Sequence, residues 1–182
     1  NEIVVRPQGV FVNSDGILME SLHTATYLKS SGAPSLDWGA KITETLARKG
    51  IAVSTAVDVG ANFGELSLWL AREYPKARIV AIEPSSDNLS VFEINCKAQS
   101  FSTQHIEIIH QAVSDRSEVA VINRGASPTS RVTASGDPAH TESVQCERLD
   151  VLFDRHGIQT ADFVKINIEG SEPKLRDALL AL

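Results

Sequence analysis

The run Thr55-Ala56-Val57-Asp58-Val59-Gly60-Ala61-Asn62-Phe63-Gly64-Glu65 narrows the possible folds of this chain more than any other stretch. An apolar segment ends next to a carboxylate, a glycine-containing turn follows, and a segment with Leu66, Trp69 and Leu70 on one helical face begins. That order spells a buried strand, a tight turn and a helix start.

The same alternation repeats downstream. A strand is expected at Thr55 to Val59, a helix from about Asn62 to Glu73 stopped by Tyr74-Pro75, and a second strand at Arg78 to Ile82. Pro84-Ser85-Ser86-Asp87 starts the next helix, and Ile106 to Val113 forms a third strand. Further strands are expected at Val119 to Ile122 and Ser143 to Arg148, with a short helix at Asp150 to His156 closed by Gly157. A fourth core strand follows at Phe163 to Ile168, and Ser171 caps a last helix. Repeated strand-helix-strand order implies an α/β fold, a doubly wound, mostly parallel sheet of Rossmann-like type.

Upstream, Glu2 to Leu22 reads as two short strands around Asn13-Ser14-Asp15-Gly16, and a helix starting near Asp37 ends at Gly50. The division expected is therefore an N-terminal hairpin and helix over 1–50, a cap or substrate region, followed by a ligand-binding core over 51–182. Asn123 to Thr141 is rich in Ser, Thr, Gly and Pro and reads as a surface loop or a substrate lid.

Composition excludes some classes. With 182 residues, one domain has enough chain for a core, and a formal charge of -6 argues against a nucleic-acid footprint. No apolar run approaches the roughly 20 residues of a membrane helix, and the N-terminus lacks a signal-peptide pattern. A cytoplasmic location, with no membrane and no nucleic acid as partner, is the expectation. The two cysteines, Cys96 and Cys146, read as buried free thiols. No histidine or cysteine cluster has metal-ligand spacing, so no metal is expected.

Ligands of doubly wound sheets bind beyond the carboxyl ends of the strands. The turn Gly60-x-Asn62-x-Gly64 lacks the spacing of a dinucleotide fingerprint, and a pyrophosphate would meet carboxylates at Asp58 and Glu65. A ligand with an ammonium and a carboxylate suits the turn better, because acidic and carbonyl oxygens take the one and backbone N–H groups the other. The methionine part of S-adenosylmethionine has both. Glu83 ends the second strand, where it either accepts hydrogen bonds from ribose hydroxyls or is a solvated carboxylate. The end of the third strand, Ala112-Val113-Ser114-Asp115, could flank an adenine, or Asp115 could serve a turn.

Taken together, Val57 to Gly64, Ala81-Ile82-Glu83-Pro84, Gln111 to Asp115, and Phe163-Val164-Lys165-Ile166-Asn167-Ile168-Glu169-Gly170-Ser171-Glu172 resemble the FkbM family of methyltransferases, over about Ile51 to Leu182. The resemblance implies a class I S-adenosylmethionine-dependent enzyme that methylates hydroxyl oxygens of small molecules, sugars or natural products. By matching motif positions, it places Asp58, Gly60, Ala61, Asn62 and Gly64 along the methionine part and Glu83 at the ribose. Ala112 and Val113 fall beside the adenine, and Asn167 near the transferring methyl. The family's usual aspartate at this last position is Asn167 here, which can hydrogen-bond but cannot act as a base.

A hydroxyl acceptor benefits from a base within hydrogen-bond reach. Glu169 is the first candidate, with capping of the last helix as its alternative role. Lys165 is the second, with a structural ion pair as its alternative. The five histidines lack supporting neighbours. Folds of this type continue with further strands, so the chain is expected to be a fragment, or a partner chain covers the edge of the fourth strand. Competing functions are a non-catalytic S-adenosylmethionine-binding or interaction module and a nucleotide-dependent oxidoreductase.

Overall fold

The computed structural model describes residues 37–124, 132–133, 140–168 and 175. The N-terminal hairpin, Glu169, the cap at Ser171 and most of the Asn123–Thr141 segment lie outside these residues. The elements in chain order are α1 (Asp37–Arg48), β1 (Thr55–Val59), α2 (Glu65–Glu73), β2 (Arg78–Ile82), α3 (Ser86–Lys97), β3 (Ile106–Ile109) and β4 (Ala112–Val113). Then come β5 (Glu118–Asn123), β6 (Val132–Thr133), β7 (Thr141–Glu147), α4 (Leu149–Arg155) and β8 (Phe163–Ile166).

The principal sheet has the order β3-β2-β1-β8 and every pairing in it is parallel. Its strands are apolar on both faces because helices cover both. On one face Val57, Val59, Val80, Ile82, Val164 and Ile166 pack with Leu149, Leu152 and Phe153 of α4 and with Leu175. On the other, Ala56, Ile79 and Phe163 meet Leu66 and Leu70 of α2, which in turn bury Ile42 and Leu46 of α1. Ala81 and Phe92 bring α3 onto the same face. The doubly wound Rossmann-like class read from the sequence is the fold observed.

Three local expectations need correction. The third strand is not continuous from Ile106 to Val113. β3 pairs with β2, whereas β4 leaves that sheet and pairs with β7. A second, mixed sheet of order β4-β7-β5-β6 results, with β5 antiparallel to both β6 and β7. Its small core is Ala112, Ala120, Ile122, Val144 and Cys146. The break falls at His110 and Gln111, where the Gln111 N–H turns back to the Ile109 carbonyl at 3.1 Å and the His110 ring lies 2.8 Å from the Pro84 carbonyl. The first core helix starts at Glu65 rather than Asn62, because Asn62 has φ 54 and Gly64 φ 84, both outside helical space. Cys96 is only half-buried, while Cys146 is buried.

Among the described residues, no helix is long and apolar enough to cross a membrane. β1, β2 and β3 run to one side in sequence order and β8 joins on the other side of β1. That reversal between β1 and β8 is the topological switch point, and it selects the carboxyl ends of these two strands as the place for a ligand.

Candidate active site at the switch point

The site is built on the turn after β1. Gly60 and Gly64 take φ 75 and φ 84, conformations that side chains disfavour, with Asn62 between them at φ 54. A Cβ on Gly60 would stand 1.8 Å from the Asn167 carbonyl oxygen, and one on Gly64 would stand 2.1 Å from the Phe92 ring. The absent side chains thus admit the end of β8 and helix α3. The glycines shape the pocket by letting its walls close, instead of opening the backbone to a ligand at those two points.

The turn's amides are held internally. The N–H groups of Gly60 and Ala61 both donate to the Ile82 carbonyl, at 2.8 and 3.0 Å, and Gly64 donates to Ala61 at 2.9 Å. The Asn62 N–H donates to Glu83 Oε2 at 2.9 Å. Glu83 also accepts from the Ser85 N–H and from Asn88 Nδ2 through Oε1, each at 3.0 Å. Burial pushes the Glu83 carboxyl above its usual range, against these three donors and the Lys165 charge. So Glu83 clamps the β1 turn to the start of α3, with about one of a carboxylate's four acceptor positions left.

Asp58 is fully buried and also engaged. Its Oδ2 accepts from Ser67 Oγ at 2.8 Å, and its Oδ1 lies 2.9 Å from the Lys165 ammonium. Lys165 donates in addition to the carbonyls of Gly60 at 2.7 Å and Val59 at 3.3 Å. The register explains the pairing: Asp58 sits directly opposite Lys165 across β1 and β8. Lys165 therefore has the ion-paired environment named above as its alternative role, and it holds β8 to the turn. Asn167 lies at the carboxyl end of β8, donating its N–H to the Val59 carbonyl at 2.9 Å. Glu169 falls outside the described residues. Ala112 and Val113 are buried in the core clusters around α4 and the second sheet.

Two side chains at the turn stand out: Asn62, which the sequence reading placed along the methionine part, and Glu65, to which it gave no binding role. The Asn62 side chain is buried with neither its oxygen nor its nitrogen partnered, and both carboxylate oxygens of Glu65 are buried without a hydrogen-bond partner. Trp69 Nε1, one turn further along α2, is likewise unpartnered. Burial pushes the Glu65 pKa up to about 7, opposed by its own backbone N–H and Lys165 and reinforced by Asp58 and Glu83. Glu65 was legible only as a charge that a pyrophosphate would dislike. Its isolation could not be read, because the helix start three residues after Asn62 depends on the turn's left-handed geometry. Among the described residues, no group of three His, Cys, Asp or Glu could hold a metal ion.

An open parallel sheet covered on both faces, with a polar turn at its strand-order switch, defines a Rossmann-like domain, a class that binds its ligands at that switch. Within that class, the chain matches the methyltransferase FkbM domain over residues 58–175 and belongs to that family. It is 27% identical, over 133 residues, to the tRNA1(Val) (adenine(37)-N6)-methyltransferase of Vibrio cholerae serotype O1 (strain M66-2), covering 67% of this chain and 55% of that protein. The chain thus spans about half the length of the curated relatives it matches. Among solved structures, it is similar to a methyltransferase FkbM from Methylobacillus flagellatus KT, at 20% identity and a TM-score of 0.46, covering 71% of this chain and 30% of that one. An S-adenosylmethionine-dependent methyltransferase from Clostridium acetobutylicum ATCC 824 has 17% identity and a TM-score of 0.39, covering 52% and 36%.

Proposed function

We propose that this chain carries the cofactor-binding part of an S-adenosylmethionine-dependent methyltransferase whose acceptor is a hydroxyl on a small molecule, sugar or natural product. What carries the reading is that the family match begins at Asp58 and spans the whole pocket, from the β1 turn through Asn167. The donor set suits such a cofactor. Asn62 offers an unpartnered amide, Glu65 an unpartnered carboxylate, and Glu83 one free acceptor position for a ribose hydroxyl. Ala112 and Val113 are the residues that the family resemblance sets beside the adenine.

When bound, S-adenosylmethionine supplies an electrophilic methyl on a sulfonium. The chain's own residues then have three tasks. Asp58, Lys165 and Ser67 form a rigid floor that keeps β8 in register with the turn, since fixed alignment supplies much of the effect in a displacement. Asn167 stands at the end of β8, where its amide can orient an acceptor oxygen but cannot remove its proton. Glu169, two residues later in sequence, is the base we assign to that proton.

Calorimetry with S-adenosylhomocysteine and with NAD, run separately, tests the reading. Binding of the first alone supports it; binding of NAD alone replaces it with the oxidoreductase. The named activity of the Vibrio cholerae relative makes a tRNA adenine the competing acceptor. The formal charge of -6 weighs against it. Labelled methyl appearing on tRNA and on no hydroxylated small molecule would overturn the acceptor assignment. Cofactor binding without transfer to either would favour the non-catalytic module.

A further inference from the structure

We propose that Glu65 is the counter-ion for the ammonium of the amino-acid ligand in this pocket, with the Asn62 amide as its hydrogen-bonding neighbour. The inference rests on the S-adenosylmethionine reading and assigns a residue that the family motif leaves open.

Charge balance points to it. The pocket brings Asp58, Glu65 and Glu83 near one another, and Lys165 is the one cation that acts on Glu65 among the described residues. Asp58 has Lys165 and Ser67. Glu83 has three hydrogen-bond donors. Glu65 has none beyond the pull of its own backbone N–H, and its oxygens are closed off from water. A buried polar group without a partner is costly in a folded protein unless something else satisfies it. Its place in the first turn of α2 makes matters no worse, since the helix N-terminus favours a negative charge there. What the site lacks is a second cation, and a ligand ammonium is one.

The arrangement also couples binding to a proton. Without ligand, Glu65 titrates near pH 7 because burial outweighs its surroundings. The groups facing it are Lys165 from β8, Asp58 from β1 and Glu83 from the end of β2. An arriving ammonium favours the ionised carboxylate, so binding at or below pH 7 releases the proton Glu65 holds. Ligand affinity then falls as pH drops below 7, by up to about tenfold per unit.

The test is calorimetry on the whole chain with two probes: S-adenosylhomocysteine, and 5′-methylthioadenosine, which has the adenosine and sulfur but no amino acid. Glu65→Gln should weaken S-adenosylhomocysteine at pH 8 about tenfold or more and leave 5′-methylthioadenosine within twofold. The wild-type chain at pH 6.5 should show heats that differ between buffers of different ionisation enthalpy, reporting released protons. Glu65→Gln should abolish that difference. A merely structural role for Glu65 would not move the proton count. If the variant and the wild type bind S-adenosylhomocysteine alike, with the same pH profile, the counter-ion assignment is wrong while the cofactor reading stands. If the wild type binds neither probe, both fall together.

Discussion

The two ends of the principal sheet treat their polar groups differently. At the amino ends of the strands the charges of Arg78, Glu107 and Asp162 are answered. Arg78 donates to Glu107 and to the His156 carbonyl, each at 2.6 Å, and the His156 ring meets the other Glu107 oxygen at 2.7 Å. Asp162 accepts from the Ser54 and Thr55 N–H groups at 2.7 and 3.0 Å. At the carboxyl ends, Asp58 and Glu83 are equally well held, yet Asn62 and Glu65 beside them are not. The first end is finished by the chain alone. The second is incomplete, as expected where stability has been given up for a ligand.

Lys165 offers the largest way to break that contrast. Lys165→Met removes the partner of a fully buried carboxylate, so it should destabilise the chain by about 3–5 kcal/mol in urea unfolding. Adding Asp58→Asn should restore most of the loss. If the single variant costs under about 1 kcal/mol, the floor of the pocket is not held by this pair.

Gly64→Ala comes next. It combines a side chain at φ 84 with a contact of 2.1 Å to Phe92, and should cost about 2–4 kcal/mol. Gly157→Ala, at φ 62 with nothing within 4 Å of the added carbon, should cost only about 1 kcal/mol. Equal costs would show that backbone strain alone, and not the closing of α3 onto the turn, explains the glycine.

The pH responses are the sharpest comparison, because the two ends should respond in opposite senses. Glu65 has a folded-state pKa raised from 4.5 to about 7. Its folded state binds the proton more tightly than the unfolded chain. Ligand-free stability therefore falls as pH rises through that window, by up to about 3 kcal/mol in total. Glu107 is the reverse. Burial acts to raise it, but Arg78 and His156 together hold it below its usual range. Its contribution is present above the ordinary carboxylate pKa and is lost as pH falls through the lowered one. That contribution is under about 1 kcal/mol, because the pair is partly exposed. Urea midpoints between pH 3 and 8 should show Glu65→Gln flattening the upper slope and Glu107→Gln the lower. Slopes of the same sign for both residues would remove the distinction.

Much of this was readable in the chain. The strands Thr55–Val59 and Arg78–Ile82 were legible to the residue, because each is an apolar run bounded by turn residues. The strand from Ile106 was not, since Ile109 and Val113 share an apolar pattern that periodicity cannot divide between two sheets. Asp58, Glu83 and Lys165 stand out in the sequence by their place at strand ends, and all three side chains meet around the β1 turn. Their partners were invisible: Ser67 and Asn88 carry no motif, and only packing brings them to those carboxylates.

Sequence alone determined the alternation of strand and helix, the doubly wound class and the family, because these depend on local periodicity and on motif order. Tertiary structure alone decided which acids are neutralised and which is left over. That outcome depends on side chains meeting across strands distant in the chain: Lys165 pairs with Asp58 because β8 lies in parallel register beside β1. Glu65 is left over because no side-chain donor in the described structure hydrogen-bonds its oxygens.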